Sequence, residues 1–118
     1  MFWKRFLGIF GESQAARFLK SRGYRIIKKN YRTRFGEIDI IARDGNVLVF
    51  VEVKTVVPGK VEKPTDTVNF RKQRHIAKSA EDYLQREVKS DYDCRFDVVA
   101  IEYINNGKPR IELIKDAF

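Results

Sequence analysis

At 118 residues the chain fits one compact domain, residues 1–118, and is too short for two. A 43% share of hydrophobic residues excludes a disordered tail, and a single cysteine, Cys94, excludes an internal disulfide framework or a cysteine-rich zinc site. The net charge of +8 points away from cationic partners and toward a polyanion, either nucleic acid or an anionic membrane surface. The lone cysteine suits a reducing cytosol, so a cytoplasmic setting is expected. No apolar run approaches a membrane span, so no stable membrane insertion is expected.

The charge is unevenly spread. Residues 1–36 hold ten of the 24 cations but one of the 16 acids, Glu12, while the rest of the chain is close to neutral. Such asymmetry reads as a binding face. The greasy start, Met1 to Gly11, reads as a first helical turn, with Trp3 and its phenylalanines in the core or an interface. Apolar spacing at Ala15, Ala16, Phe18 and Leu19 predicts a helix over residues 10–22, closed by Gly23. Tyr24 to Asn30 follows as a short strand, then a polar connector with Arg32, Thr33, Arg34 and Gly36. Glu37–Arg43 and Asn46–Lys54 are β-rich and flank Asp44-Gly45, a two-residue hairpin signal.

Residues 55–68 read as a long loop of the kind that is often functional. Asn69 caps a second helix running to about Val88, with Ile76, Ala80, Tyr83 and Leu84 as its apolar stripe. Arg95–Tyr103 and Arg110–Ile114 are strands around a turn at Asn106-Gly107. The order α-β-β-β-α-β-β predicts an α/β (α+β) fold, a mixed central sheet flanked by helices. The absence of a glycine-rich phosphate loop removes nucleotide-binding readings.

Chemistry concentrates on the hairpin. Pairing Arg43 with Asn46 sets Asp39 opposite Phe50 and Glu37 opposite Glu52. Asp39, Glu52 and Lys54 then share one face, with Asp39 and Glu52 as diagonal neighbours. Ile41, Leu48 and Phe50 lie on that face too, and Ile38, Ile40 and the valines line the other. Carboxylates beside so much apolar surface are costly unless paired or metal-bound. Glu12 falls on the helix stripe that should bury against the sheet. Two or three carboxylates suit a hard Mg²⁺ or Mn²⁺ ion, which acidifies a bound water, and a nearby lysine supports charge on a phosphate.

Asp39 followed by Glu52-Val53-Lys54 resembles the D…(D/E)-x-K signature of the restriction-endonuclease-like nuclease superfamily. Gly11-Glu12, Ala15-Ala16, Leu19, Gly23-Tyr24, Asn30-Tyr31-Arg32, Gly36-Glu37-Ile38-Asp39, Phe50 to Lys54, Lys72 and Arg95 to Val99 extend the likeness. Together these motifs, over roughly residues 8–104, resemble the bacterial YraN-like family, which is uncharacterised and endonuclease-like. Archaeal Holliday-junction resolvases are similar in adding a first-helix glutamate. That likeness implies a restriction-endonuclease-like core, with Glu12, Asp39 and Glu52 as metal ligands and Lys54 in catalysis. The superfamily's proline before the aspartate is Ile38 here, and Val56 stands where the family often has arginine. A second E-x-K triplet, Glu87-Val88-Lys89, shows that the triplet alone carries little information.

Around this set the readings divide. Glu12 can be a site acid or can pair with an arginine near the helix start. Glu37 is either a fourth site acid or a partner for Arg34. Lys72 and Gln73 either reach the site or lie on a solvated helix face. Arg32, Arg34, Arg71, Lys72 and Arg74 are the nucleic-acid-binding candidates, with Lys78 beside them. Asp97 reads as a structural partner of Arg95, His75 as a surface residue and Cys94 as an incidental thiol. The expectation leans to an enzyme, a Mg²⁺- or Mn²⁺-dependent nuclease on DNA rather than RNA, with branched DNA among its substrates. The alternative is a nucleic-acid-binding protein without catalytic activity. A homodimer is compatible with either.

Overall fold

The computed structural model describes residues 2–56, 68–88, 92–103 and 108–118, and for residues 2–10 and 56 the backbone alone. Helix α1 (Phe2–Ser21) is followed by strands β1 (Arg25–Thr33), β2 (Gly36–Asp44) and β3 (Val47–Val56), helix α2 (Phe70–Glu87), and strands β4 (Asp93–Tyr103) and β5 (Pro109–Ile114). This is the expected order. One sheet joins the strands in sequence order, β1-β2-β3-β4-β5. β3 and β4 run parallel and the other neighbours antiparallel. A parallel pair needs a crossover, and α2 lies within it.

The two helices cover opposite faces. Ala15, Ala16 and Leu19 of α1 bury against Ile40, Ala42, Val49, Val51, Val99 and Ile101. On the other face Ala80 and Tyr83 of α2 bury against Ile41, Leu48 and Phe50, and Ile76 packs with Val98 and Val68. The alternation of β3 therefore feeds two cores, as expected for a strand covered on both sides. Tyr83 meets Phe50 and Tyr31 edge-on, at centroid separations of 6.1 and 5.2 Å.

Local signals account for the element ends. α1 closes in a Schellman arrangement, with Tyr24 N–H donating to the Leu19 carbonyl and Gly23 N–H to that of Lys20, both at 3.0 Å. Gly23 takes φ 89°, which suits glycine. Asn69 caps α2, its side chain accepting from Lys72 N–H at 2.9 Å.

Four boundaries differ from expectation. α1 begins at Phe2 rather than near residue 10, because Gly8 and Gly11 weaken a helical signal that the backbone nonetheless keeps. β1 continues through Thr33, so Arg32 is a strand residue and the connector shrinks to Arg34-Phe35. Pairing of Tyr31 with Ile38 and Arg32 with Glu37 overrides the polar character of this stretch. The β2–β3 hairpin pairs Asp44 with Val47, placing the turn at Gly45-Asn46 with Gly45 at φ 61°. Phe50 thus faces Ile41 rather than Asp39, but a two-residue shift preserves the faces. Thr55 and Val56 belong to β3 rather than to a loop. The remainder of that loop, residues 57–67, lies outside the described residues. So do the Asn106-Gly107 turn, Lys89 and the side chains of Trp3 and the first phenylalanines.

Asp97 anchors one end of the sheet. It is fully buried and accepts from Arg95 Nε at 2.8 Å, Arg95 Nη2 at 2.9 Å, Tyr24 O–H at 2.9 Å and Asp116 N–H at 3.0 Å. Arg95 also reaches Asp44 at 2.9 Å. Asp97 is thus the structural partner of Arg95 that the sequence suggested. Removing one partner of a buried pair strands the other charge, so Arg95→Met should cost about 3–5 kcal/mol in urea unfolding at neutral pH. The Arg95 hydrogen bond also holds the Asp44 carboxyl below its usual value of 3.8. That share of stability is complete above the unfolded-chain value and is lost as pH falls through the lower folded one. The gap between wild type and Arg95→Met should therefore narrow in acid.

Candidate functional site

The sheet opens between β2 and β3. Their ladder ends at Ile40–Val51, although β2 stays paired with β1 to Gly36 and β3 stays paired with β4 to Val56. Asp39 sits at this fork. Its Oδ2 accepts the Val53 N–H at 2.8 Å, so a side chain takes the donor that a continuing ladder would have used. The alternation of β2 breaks at the same point. Ile40 packs with the α1 core, but Ile38 packs with the α2 core rather than on the face where regular alternation puts it.

Acids converge on the fork from three elements. Carboxylate oxygens of Glu12 from α1 and of Glu37 and Asp39 from β2 lie within 4.8 Å of one another. The Glu12 and Asp39 carboxyls lie close enough to interact directly. Burial raises the Glu12 carboxyl, and Glu37 and Glu52 push it further in the same direction. Burial, then the charge of Glu52, pushes Asp39 up to about 8. Glu12 is accordingly a member of the cluster. Glu37 joins it too and also approaches Arg32 at 3.8 Å, not Arg34.

Glu52, from β3, is buried, and its charge acts on Asp39. It stands outside the group of three, because Lys72 of α2 places Nζ at 2.6 Å from its Oε1. Lys54 follows on the same face of β3, within reach of the Lys72 charge. Burial, then the Lys72 charge, lowers Lys54 below its usual value. Burial opposes the charge on Lys72 too, but its bond to Glu52 outweighs that and raises it. Lys72 therefore reaches the site, whereas the Gln73 side chain turns to the Val68 carbonyl at 2.8 Å.

Asn30 belongs here, although the sequence marked it only within Asn30-Tyr31-Arg32 and gave it no role in the site. It lies in β1 between the pairs Lys29–Ile40 and Tyr31–Ile38, across from Asp39, and its side chain hydrogen-bonds Glu12. Its φ of 54° is left-handed, a conformation that asparagine tolerates better than most residues. No strand pattern announces such a backbone.

The nucleic-acid candidates are dispersed around this centre. Arg32, Arg34, Arg71 and Arg74 are exposed. Arg34 lies over the Phe35 ring at 4.8 Å, with Lys78 at 5.7 Å from the same ring. Arg71, Arg74 and Lys78 follow an i, i+3, i+7 spacing and so share a face of α2. His75 and Cys94 are exposed, as expected.

Carboxylate oxygens at this spacing are the donor set of a small, hard divalent cation, which Glu12, Glu37 and Asp39 could hold. Fold and site together describe an α+β protein with an acid–lysine cluster at a fork in a mixed sheet. Residues 11–101 match the uncharacterised protein family UPF0102, and the chain belongs to that family, as the YraN-like resemblance implied. A UPF0102 protein of Syntrophus aciditrophicus is 52% identical over 111 residues, covering 94% of this chain and 87% of its own. One from Caldicellulosiruptor saccharolyticus is 46% identical across 98% of both chains, and one from Symbiobacterium thermophilum 49% identical across 97% of both.

A pH dependence follows from Asp39. Between its unfolded value near 3.8 and its folded value of about 8, the folded chain holds a proton that the unfolded chain has lost. Stability of the metal-free protein should therefore fall as pH rises through that window. Urea midpoints at about pH 5 and about pH 8.5 should differ for wild type and converge in Asp39→Asn, which cannot titrate.

Proposed function

We propose that this protein is a metal-dependent nuclease that hydrolyses phosphodiester bonds in DNA, built on a restriction-endonuclease-like core. One observation carries the reading: Glu12, Glu37 and Asp39 bring carboxylate oxygens within 4.8 Å of one another beside two half-buried lysines, Lys54 and Lys72. Such a cluster is unfavourable on its own and becomes favourable around a divalent cation.

Glu12, Glu37 and Asp39 would hold Mg²⁺ or Mn²⁺, with Glu52 beside them. A bound ion supplies an acidified water and a counter-charge for the phosphate. Lys54 Nζ, on the same strand face as Glu52, would donate to a non-bridging phosphate oxygen, where charge builds in the transition state. The Val53 N–H fixes the Asp39 carboxyl, so this ligand is positioned before any substrate arrives. Exposed Arg32, Arg34, Arg71 and Arg74 would neutralise the flanking backbone phosphates.

The test is cleavage of linear, single-stranded and junction DNA with Mg²⁺, Mn²⁺ or chelator. Metal-dependent cleavage is expected, absent in Asp39→Ala and reduced by about 10²–10³-fold in Lys54→Ala. Cleavage that persists in both variants would falsify the site. One observation favours a second reading, nucleic-acid binding without catalysis: Lys72 already neutralises Glu52. On that reading DNA binds, with affinity falling steeply as salt rises, and no strand is cut with either metal.

A further inference from the structure

We propose that Lys72 is a resident cation of the site, competing with the divalent ion for Glu52 and so setting how tightly that ion is held. The inference rests on the metal reading above and adds a positioning role that no catalytic assignment covers.

The geometry supports it at three points. Glu52 is 5% exposed, and a carboxylate buried to that degree needs a counter-charge. Lys72 Nζ, 2.6 Å away, supplies it. Second, two cationic side chains meet here, close enough that the Lys72 charge bears directly on Lys54. Like charges this close persist only in a strongly negative field, and Glu12, Glu37, Asp39 and Glu52 provide that field. A divalent ion is drawn by the same field and is repelled by whatever cation already occupies it.

Third, the lysine is anchored at its root and half-exposed along its side chain. Its backbone N–H is held by the Asn69 side chain at 2.9 Å in the first turn of α2, and Gln73 ties that turn to the Val68 carbonyl. The four-carbon stem keeps 41% of the side chain in solvent, which gives the ammonium somewhere to go when an ion claims Glu52. Lys72 then acts as a stand-in that keeps the acids from repelling one another while the site is without metal.

The experiment is calorimetric Mn²⁺ titration of the full chain, without substrate, for wild type, Lys72→Met, Lys72→Gln, Lys72→Arg and the double variant Lys72→Met/Glu52→Gln. Removing the competing charge should tighten Mn²⁺ binding by about tenfold or more in the Met and Gln variants, while Arg keeps the wild-type value. Glu52→Gln in the Met background should erase the gain, because Glu52 is the group competed for. The Gln variant keeps a polar head group and reads the same effect if Met fails to fold. Wild-type binding with unchanged or weaker affinity in both neutral variants overturns the competition while leaving the metal site standing. If neither wild type nor the neutral variants bind Mn²⁺, the metal reading falls and the competition falls with it.

Discussion

The bond on which the site depends joins the Asp39 carboxyl to the Val53 N–H. A strand that leaves its neighbour must find other partners for the groups it abandons, or lose about 1–3 kcal/mol for each one buried. Here one side chain fills that need, and the need fixes where the side chain sits. The fork between β2 and β3 and the position of Asp39 are therefore one feature. Because β2 stays with β1 and β3 stays with β4, opening the sheet costs neither strand its other neighbour. The gap admits Glu12 from the helix on one face and brings it close to acids answered by Lys72 from the helix on the other.

Among the described residues, acids gather around Asp97 and around Asp39, and the two centres differ. Around Asp97 every oxygen has a partner, the guanidinium of Arg95 is shared with Asp44 and Tyr24, and the result is a tie between strands and chain end. Around Asp39 the acids outnumber the cations, and burial with the neighbouring acids raises both the Glu12 and the Asp39 carboxyl. A structural network closes its accounts internally. The Asp39 centre remains short of positive charge after folding, an imbalance that the metal binding proposed above would relieve.

Much of this was legible in the chain. Element order followed from apolar spacing, the Asn69 cap and the glycines. Glu52 and Lys54 keep a common face of β3 under a register that was wrong by two residues, because a pleat repeats every two, whereas Asp39 stands where the alternation of β2 breaks. What stayed hidden depends on contacts distant in sequence. Ile38 changes core because the ladder ends beside it, and no periodicity within a strand reveals where its partner departs. Asn30 enters the site through a left-handed φ that asparagine tolerates but does not announce. Lys72 read equally well as solvated surface, since α2 is placed by its apolar stripe and its first turn by a cap. Only the packed helix shows that this lysine points at Glu52.

The position of β1 gives the first third's positive charge a second consequence. β1 is an outer strand, and an outer strand offers unpaired peptide groups to any extended chain that approaches. Arg25, Lys28, Lys29 and Arg32 stand exposed along it, the pairing slips between Ile26 and Lys28, and Asn30 twists the backbone out of line. A second copy adding its own β1 would meet a row of like charges on an irregular rail. The cations that would draw a phosphate backbone toward the fork thus also discourage strand-by-strand self-association. The proposed polyanion binding would draw on the same few side chains that guard this edge, and neutralising them would open β1 to strand pairing.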